Sequence, residues 1–253
     1  MTQLAEAPRS LDERLARLRR VAIVPALNEE GSIGRVIDEL RAFDPGLEIV
    51  VVDDGSIDRT REVAESRGAH VLKLPFNLGI GGAVQTGFRY AWEHGFDVAV
   101  RVDGDGQHDA SELDRVLEPV LAGEADIAVG SRFAGPSNGY RSSRSRRIGI
   151  RILAAIVSAL TRQRITDPTS GFQAVNRVGI RLFAADYPHD YPEAEATVMV
   201  FKHRLRVREV PIAMRPREAG RSSITVVRSV YYMVKVVLAI FMAILRRRAV
   251  PLE

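Results

Sequence analysis

The chain alternates between two hydrophobic rhythms. Short continuous apolar runs, VAIVPAL at Val21–Leu27 and EIVVV at Glu48–Val52, read as strands buried on both faces. HVLKL (His70–Leu74), VAVRVD (Val98–Asp103) and DIAVGSRF (Asp126–Phe133) continue the series. Between these runs the apolar positions follow helical spacing. Ile33, Val36, Ile37 and Leu40 share one face, and DPG at Asp44–Gly46 stops that helix. Asp58 is placed to cap a helix reaching Arg67. NLGIGGAVQTGFRYAWEHG enters a helix through glycines, and Ser111–Leu121, capped by Asp109 or Ser111, makes the next. Strand–helix alternation of this kind predicts an α/β fold, a Rossmann-like and mostly parallel sheet with helices on both faces.

After Phe133 the rhythm changes. A Gly/Pro/Ser loop, Gly135–Ser145, leads to a basic helix, Arg146–Leu160. DPTSGFQAV follows with no assigned element, then helices over Arg177–Ala184 and Glu193–Arg206, a strand in VREVPIAMRPR and a polar loop in REAGRSSI. No repeat or composition break marks a second folded domain. The expected organisation is an N-terminal arm (1–20), whose Leu11, Leu15 and Leu18 fit one helix face, a catalytic-size domain (21–224) and a C-terminal amphipathic helix (225–253). The arm lacks the apolar stretch of a signal peptide. The last segment is apolar from Val226 to Leu245 but carries Arg228 and Lys235. Its longest uncharged run, Val236–Leu245, is about half of the ~20 residues a spanning helix needs. The segment is expected to lie in a membrane interface, with Tyr231, Tyr232 and Phe241 at the boundary and Arg246–Arg248 on the headgroups. Packing on a partner subunit or membrane protein, or closure of the core, are the alternatives.

In a parallel sheet, ligands bind beyond the carboxyl ends of the strands. Here those ends carry Asn28 and Glu29, Asp53 and Asp54, Asn77, and Asp103 and Asp105. Four consecutive strands thus deliver polar groups to one edge. Composition sharpens this. The chain has no cysteine, which excludes disulfides and thiolate zinc sites. Its net charge of +4 points to an anionic partner. The excess is concentrated: no acid occurs between Ile127 and Thr166, where Arg132, Arg141, Arg144, Arg146, Arg147, Arg151, Arg162 and Arg164 fall. No basic–aromatic interleaving suggests nucleic acid.

The densest polar stretch is RVDGDGQHD, Arg101–Asp109. An EF-hand loop from Asp103 fails, because Gln107 stands at its fifth position and Asp114 at its twelfth. A strand ending in D-x-D instead leaves two carboxylates on one side of a turn, with Gln107 able to add an oxygen. Such hard ligands suit Mg²⁺ or Mn²⁺, which fills its shell with substrate phosphates. His108 reads as a loop residue. GIGGAV (Gly79–Val84) fails as a dinucleotide fingerprint, since Val84 replaces the third glycine and the segment follows the third strand. It is expected to form a tight turn with close backbone approach at the sheet edge.

PALNEE, VVDDGS, N-x-G, the D-x-D of DGDGQHD, GSRF and DPTSGF stand in the order and spacing of inverting family-2 glycosyltransferases of the GT-A fold. The chain most resembles their dolichyl- and polyprenyl-phosphate sugar transferases, the dolichol-phosphate mannose synthase type, over Val21–Ile224. The resemblance implies that Pro25, Ala26, Asn28, Glu29, Asp53 and Asp54, with Asn77, Gly79 and Asp103, bind a GDP- or UDP-sugar. It implies a metal, Mg²⁺ or Mn²⁺, on Asp103, Asp105 and Gln107. Arg217 and Ser222, in the R-x-x-G-x-S-S loop, would close over the diphosphate and acceptor. Arg132, Arg144, Arg146 and Arg147 would hold an acceptor phosphate. A lipid phosphate is already an anion and needs positioning arginines more than a base, whereas a hydroxyl acceptor needs a carboxylate base, with Asp167 and Glu193 as candidates. Location at the inner face of the cell membrane follows, with a membrane-protein partner or homo-oligomer as a possible arrangement. The rivals are a soluble acceptor on the same fold and a non-catalytic nucleotide-binding protein. A processive synthase is disfavoured, because Trp92 lacks a Q-x-x-R-W setting.

Overall fold

The computed structural model describes residues 18–135, 144–189, 192–215 and 235–242, with side chains at all of these but 144–146. Among them, seven strands form one sheet: β1 (Arg20–Ala26), β2 (Glu48–Asp53), β3 (His70–Lys73), β4 (Val98–Arg101), β5 (Ile127–Ser131), β6 (Gln173–Asn176) and β7 (Val207–Pro211). Their order is β3-β2-β1-β4-β6-β5-β7. β1 to β4 run parallel, as do β5 and β7, while β6 is antiparallel to both β4 and β5. The helices are α1 (Ile33–Phe43), α2 (Thr60–Ser66), α3 (Gly79–Glu93), α4 (Leu113–Leu121), α5 (Arg144–Thr161), α6 (Arg177–Ala185) and α7 (Pro192–Lys202).

The continuous apolar strands have the burial that their composition predicts. Ala22, Val24, Ile49 and Val51 face α1 and α4, whose Ile33, Val36, Leu113 and Val116 complete one core. Val21, Ile23, Val50 and Val52 face the other way, onto Val84 and Phe88 of α3 and Ile180 and Phe183 of α6. Alternation along each strand sends neighbouring residues to opposite layers, so one run of aliphatics serves two cores.

Two features differ from the sequence pattern. The sequence pattern assigns no element to residues 173–176, yet β6 sits inside the sheet, with Phe172 just before it and Ala174 on one face and Val175 on the other. It makes the sheet mixed, separates β4 from β5, and carries the DPTSGF turn back to the strand ends. α7 stops at Lys202 rather than Arg206, because Arg204 turns the chain at φ +61° and Leu205 N–H donates to Val200 C=O at 3.1 Å.

The glycines of α3 serve packing. A Cβ on Gly81 would overlap the Pro188 carbonyl, and one on Gly87 would overlap Cγ2 of Ile23. The close approach foreseen for GIGGAV is therefore to the 188–189 backbone. Gly87→Ala gains up to about 1 kcal/mol of helix propensity. It forces a methyl into β1, an overpacking cost of about 1–3 kcal/mol. The expected net effect is a loss of about 1 kcal/mol, read as a lower denaturation midpoint at unchanged m-value.

Candidate functional site

Beyond the ends of β1, β2 and β4 lies a cleft of about 340 Å³. It is lined by Pro25, Ala26, Leu27, Glu29, Asp54, Asn77, Gly79, Ile80, Ala83, Asp103, Gly104 and Asp105. Most of the residues expected to bind a nucleotide-sugar thus share one wall. Asn28 and Asp53 do not line it. Asn28, at φ +55°, accepts from Ile57 N–H at 2.9 Å, and its own N–H donates to Ser56 Oγ at 3.0 Å. Asp53 is buried and accepts from Ser56 N–H at 2.9 Å. Both shape the rim by fixing the loop after β2 against the loop after β1. Asp54 accepts from Leu78 N–H at 2.7 Å and so pins the start of α3 beside the cleft.

The D-x-D turn is built on a buried cation. Arg101, the last residue of β4, is 1 % exposed in a strand that is otherwise apolar. Its guanidinium donates to Asp103 Oδ1 at 3.3 Å, Glu193 Oε1 at 2.8 Å and Tyr187 Oη at 3.3 Å. Burial pushes Asp103 up, but Arg101 above all, with Arg132 further out, outweighs it and holds the carboxyl below its ordinary value. Asp103 is therefore an anion at neutral pH. Burial also pushes the Tyr187 hydroxyl up to about 12. His108 is not a loose loop residue. It is buried against Phe172, and its Nδ1 accepts from Asp103 N–H at 3.0 Å. Burial lowers its pKa against the pull of Asp103 and Asp105, so the ring is a neutral prop under the turn. Gly106, at φ +72°, lets the chain reverse, and Gln107 N–H donates to Asp105 Oδ1 at 3.0 Å.

Among the described residues no three acids or histidines converge as a closed metal cage. Two partly exposed carboxylates at an open cleft, with the half-buried Gln107 next in the turn, fit a cation that completes its shell with phosphate and water. Arg215 fixes the chain beyond β7 onto this turn. Its N–H donates to the Gln107 carbonyl at 2.9 Å, and its guanidinium lies 2.9 Å from Asp109 and 2.7 Å from Glu39. The expected loop residues Arg217 and Ser222 lie outside the described residues, so only the root of that loop is defined.

A second cavity, of about 470 Å³, opens between α5 and the end of β5. Arg132, Arg147 and Arg151 line it together with Phe133, Ile150, Ala154, Ala155 and Ile165. Arg144 and Arg146 fall where side chains are not described. Arg132 is also held by an ion pair. It forks onto Asp167, with Nε to Oδ2 and Nη2 to Oδ1 both at 2.6 Å, and the side chains are only 4 % and 0 % exposed. Thr169 Oγ1 takes a further bond from Nη2 at 2.6 Å. Asp167, sealed against a guanidinium, is not placed to act as a general base; it orients Arg132. The other candidate, Glu193, is spent on Arg101. Glu209 holds the DPTSGF turn from below, accepting from Thr166 and Asp167 N–H at 2.7 and 2.9 Å.

Sequence reading missed Arg101, Tyr187 and Glu209. The signal for Arg101 was present: an arginine inside an apolar strand must find paired charge when buried. Tyr187 and Glu209 carry no comparable mark, because long-range packing alone brings them in.

The family model described as glycosyl transferase family 2 matches residues 21–185. An undecaprenyl-phosphate mannosyltransferase of Micrococcus luteus is 32 % identical over 216 residues, 82 % of this chain and 88 % of that protein. A UDP-N-acetylglucosamine–dolichyl-phosphate N-acetylglucosaminyltransferase of Methanococcus voltae is 30 % identical over 209 residues, 75 % of this chain and 83 % of that protein. Among solved structures, glucosyl-3-phosphoglycerate synthase from Mycobacterium tuberculosis, in complex with Mn²⁺, UDP-glucose and phosphoglyceric acid, superposes with a TM-score of 0.72. It is 22 % identical, with 96 % of this chain and 86 % of that chain covered, a likeness of fold.

Proposed function

The chain belongs to glycosyl transferase family 2, and from that premise we propose that it moves a sugar from a GDP- or UDP-sugar to a polyprenyl phosphate, inverting the anomeric carbon. The observation that carries this reading is the pairing of two cavities of opposite character. One is acid-lined and lies over the strand ends; the other combines arginines with an apolar wall on α5. Arg132 links them, since its charge lowers the pKa of Asp103 while its side chain lines the second cavity.

Glu29, Asp54, Asn77 and Gly79 would seat the nucleotide. Asp103, Asp105 and Gln107 would hold Mg²⁺ or Mn²⁺, which when bound neutralises charge on the leaving diphosphate. Arg147 and Arg151 would receive the acceptor phosphate, for which guanidinium forks are suited. Ile150, Ala154 and Ala155 would take the first isoprene units. An anionic acceptor attacks without losing a proton, which suits a site whose Asp167 is occupied by Arg132. Arg217 and Ser222 would close the site from the loop rooted at Arg215. The C-terminal segment would hold the enzyme at the inner face of the membrane. Among the described residues no helix is long and apolar enough to cross one.

Label from a panel of radioactive nucleotide-sugars, with Mn²⁺ and polyprenyl phosphate, is expected to enter the organic phase on extraction. Label left in a water-soluble product would overturn the lipid acceptor and leave the transferase assignment intact. Arg151→Ala is expected to raise the acceptor KM about tenfold or more, the loss of one charge-assisted bond, with the donor KM unchanged. An unchanged acceptor KM removes α5 from the acceptor site.

A further inference from the structure

Arg215 stands beyond the end of β7, past Pro211, the last residue that pairs with β5. What it touches is the turn after β4. The Asp105 carboxylate takes the Gln107 N–H at 3.0 Å, and the Gln107 carbonyl takes the Arg215 N–H at 2.9 Å. Beside this bond, His108 and Met214 form an antiparallel bridge. Two residues of the β7 extension thus run alongside two residues of the D-x-D turn.

The side chain ties the same turn to a third element. Nη1 donates to both oxygens of Glu39 on α1, at 2.7 and 2.8 Å, and Nη2 lies 2.9 Å from Asp109 Oδ2. Asp109 gives its other oxygen, Oδ1, to Ser111, taking the N–H at 3.0 Å and the hydroxyl at 2.7 Å. One carboxylate therefore caps the following turn of helix and holds Arg215. From α1, Arg35 lies 3.8 Å from Glu39, and a Cβ on Gly106 would overlap its guanidinium. The turn is tied to α1 and to the β7 extension, and Arg215 joins all three.

A partly exposed ion pair by itself adds little to stability. Its place beside Gln107 gives this cluster another use. The turn brings Asp103, Asp105 and Asp109 together, carboxylates that repel one another before any cation arrives. A guanidinium fixed on Asp109 and Glu39 relieves part of that repulsion, while its main chain fixes Gln107. A planar guanidinium serves two carboxylates in a set geometry, which an ammonium cannot do. Groups that orient metal ligands without touching the metal commonly govern its affinity.

We propose that Arg215, latched to Glu39 and Asp109, is a positioning residue for the cation site: it sets Asp105 and Gln107 in place before the cation binds. The latch deepens the cation reading of the D-x-D turn. Its purpose rests on that reading; its hold on the turn does not.

Two measurements on the full chain test it. Hydrogen exchange of the metal-free protein reads the turn itself, and amides of the 103–109 stretch should exchange faster in Arg215→Met. Calorimetric titration of UDP and GDP over a series of Mn²⁺ concentrations reads the site. The Mn²⁺ needed for half-maximal nucleotide binding is expected to rise about tenfold or more, the usual effect of removing an outer partner of a metal ligand. Nucleotide binding without metal should stay as in the parent. Activity lost at low Mn²⁺ should return in part as Mn²⁺ is raised, a split that general loss of structure does not give. Arg215→Lys should recover part of the Mn²⁺ affinity. Glu39→Gln should shift the Mn²⁺ dependence in the same direction and add little to Arg215→Met in the double variant, since both open one latch. A lower melting temperature with an unchanged Mn²⁺ dependence would make Arg215 a structural residue and overturn the proposal. Equal hydrogen exchange at 103–109 would overturn it too. If Arg215→Met does not fold, Glu39→Gln carries the same two measurements. If nucleotide binding by the parent does not depend on Mn²⁺, the cation reading fails; faster exchange in the variant then keeps the latch, and equal exchange removes it.

Discussion

Replacing Asp105 with alanine is expected to lower kcat/KM by about 10³-fold or more, roughly 4 kcal/mol of transition-state stabilisation. The stability cost should be smaller, on the order of 1 kcal/mol for the turn hydrogen bond its Oδ1 takes from Gln107 N–H. The large and small effects separate because Asp105 is partly exposed at the cleft. Steady-state kinetics and calorimetric titration of UDP and GDP with and without Mn²⁺ check both halves. The Mn²⁺-dependent part of nucleotide affinity should vanish in the variant. Turnover within tenfold of the parent, or Mn²⁺-dependent binding that survives, would remove Asp105 from the proposed cation site. Asp103→Ala should behave differently. It removes a carboxylate that offsets Arg101, so activity and stability should fall together.

Arg101→Met is expected to cost about 3–5 kcal/mol of stability, the range found when one partner of a buried ion pair is removed. For a chain of this size that is roughly 10 °C in melting temperature. The methionine fills the volume, so the loss measures charge rather than packing. Without the guanidinium, Asp103 and Glu193 are left partly buried and facing each other without a counter-charge. Arg101→Lys keeps the charge but cannot fork to Asp103, Glu193 and Tyr187 together, so it should recover only part of the loss. Thermal denaturation of the three proteins decides. A methionine variant as stable as the parent would mean that solvent already screens the cluster. Donor affinity should weaken in the same order, because the position of Asp103 in the cleft depends on Arg101.

Much of this was legible beforehand, for identifiable reasons. A continuous aliphatic run admits few solutions other than a strand buried on both faces. The positions of β1, β2, β4 and β5 followed from that, and the polar edge followed from parallel alternation. The D-x-D turn was legible because two acids at a strand end have few structural uses. β6 was not read, since four residues after a turn make too short a period to distinguish from loop. The partnership of Arg132 with Asp167 was not legible either. The two lie on different elements, and both were read as groups for a substrate before geometry joined them.

The sequence by itself determined the local elements, the edge at which chemistry gathers, and the family. These are written in spacings of a few residues, where sterics and amphipathic period act directly. Only the tertiary structure decided which polar groups face the cleft and which are consumed in holding it. It spends Asn28 and Asp53 on the rim, Asp167 on Arg132, and Glu193 on Arg101. It also splits α5 into a core side, a cavity side and an outer side. The physical reason is that a buried charge takes whichever opposite charge folding brings within reach. For Arg101 and Glu193 that partner lies 92 positions away along the chain, beyond any local pattern.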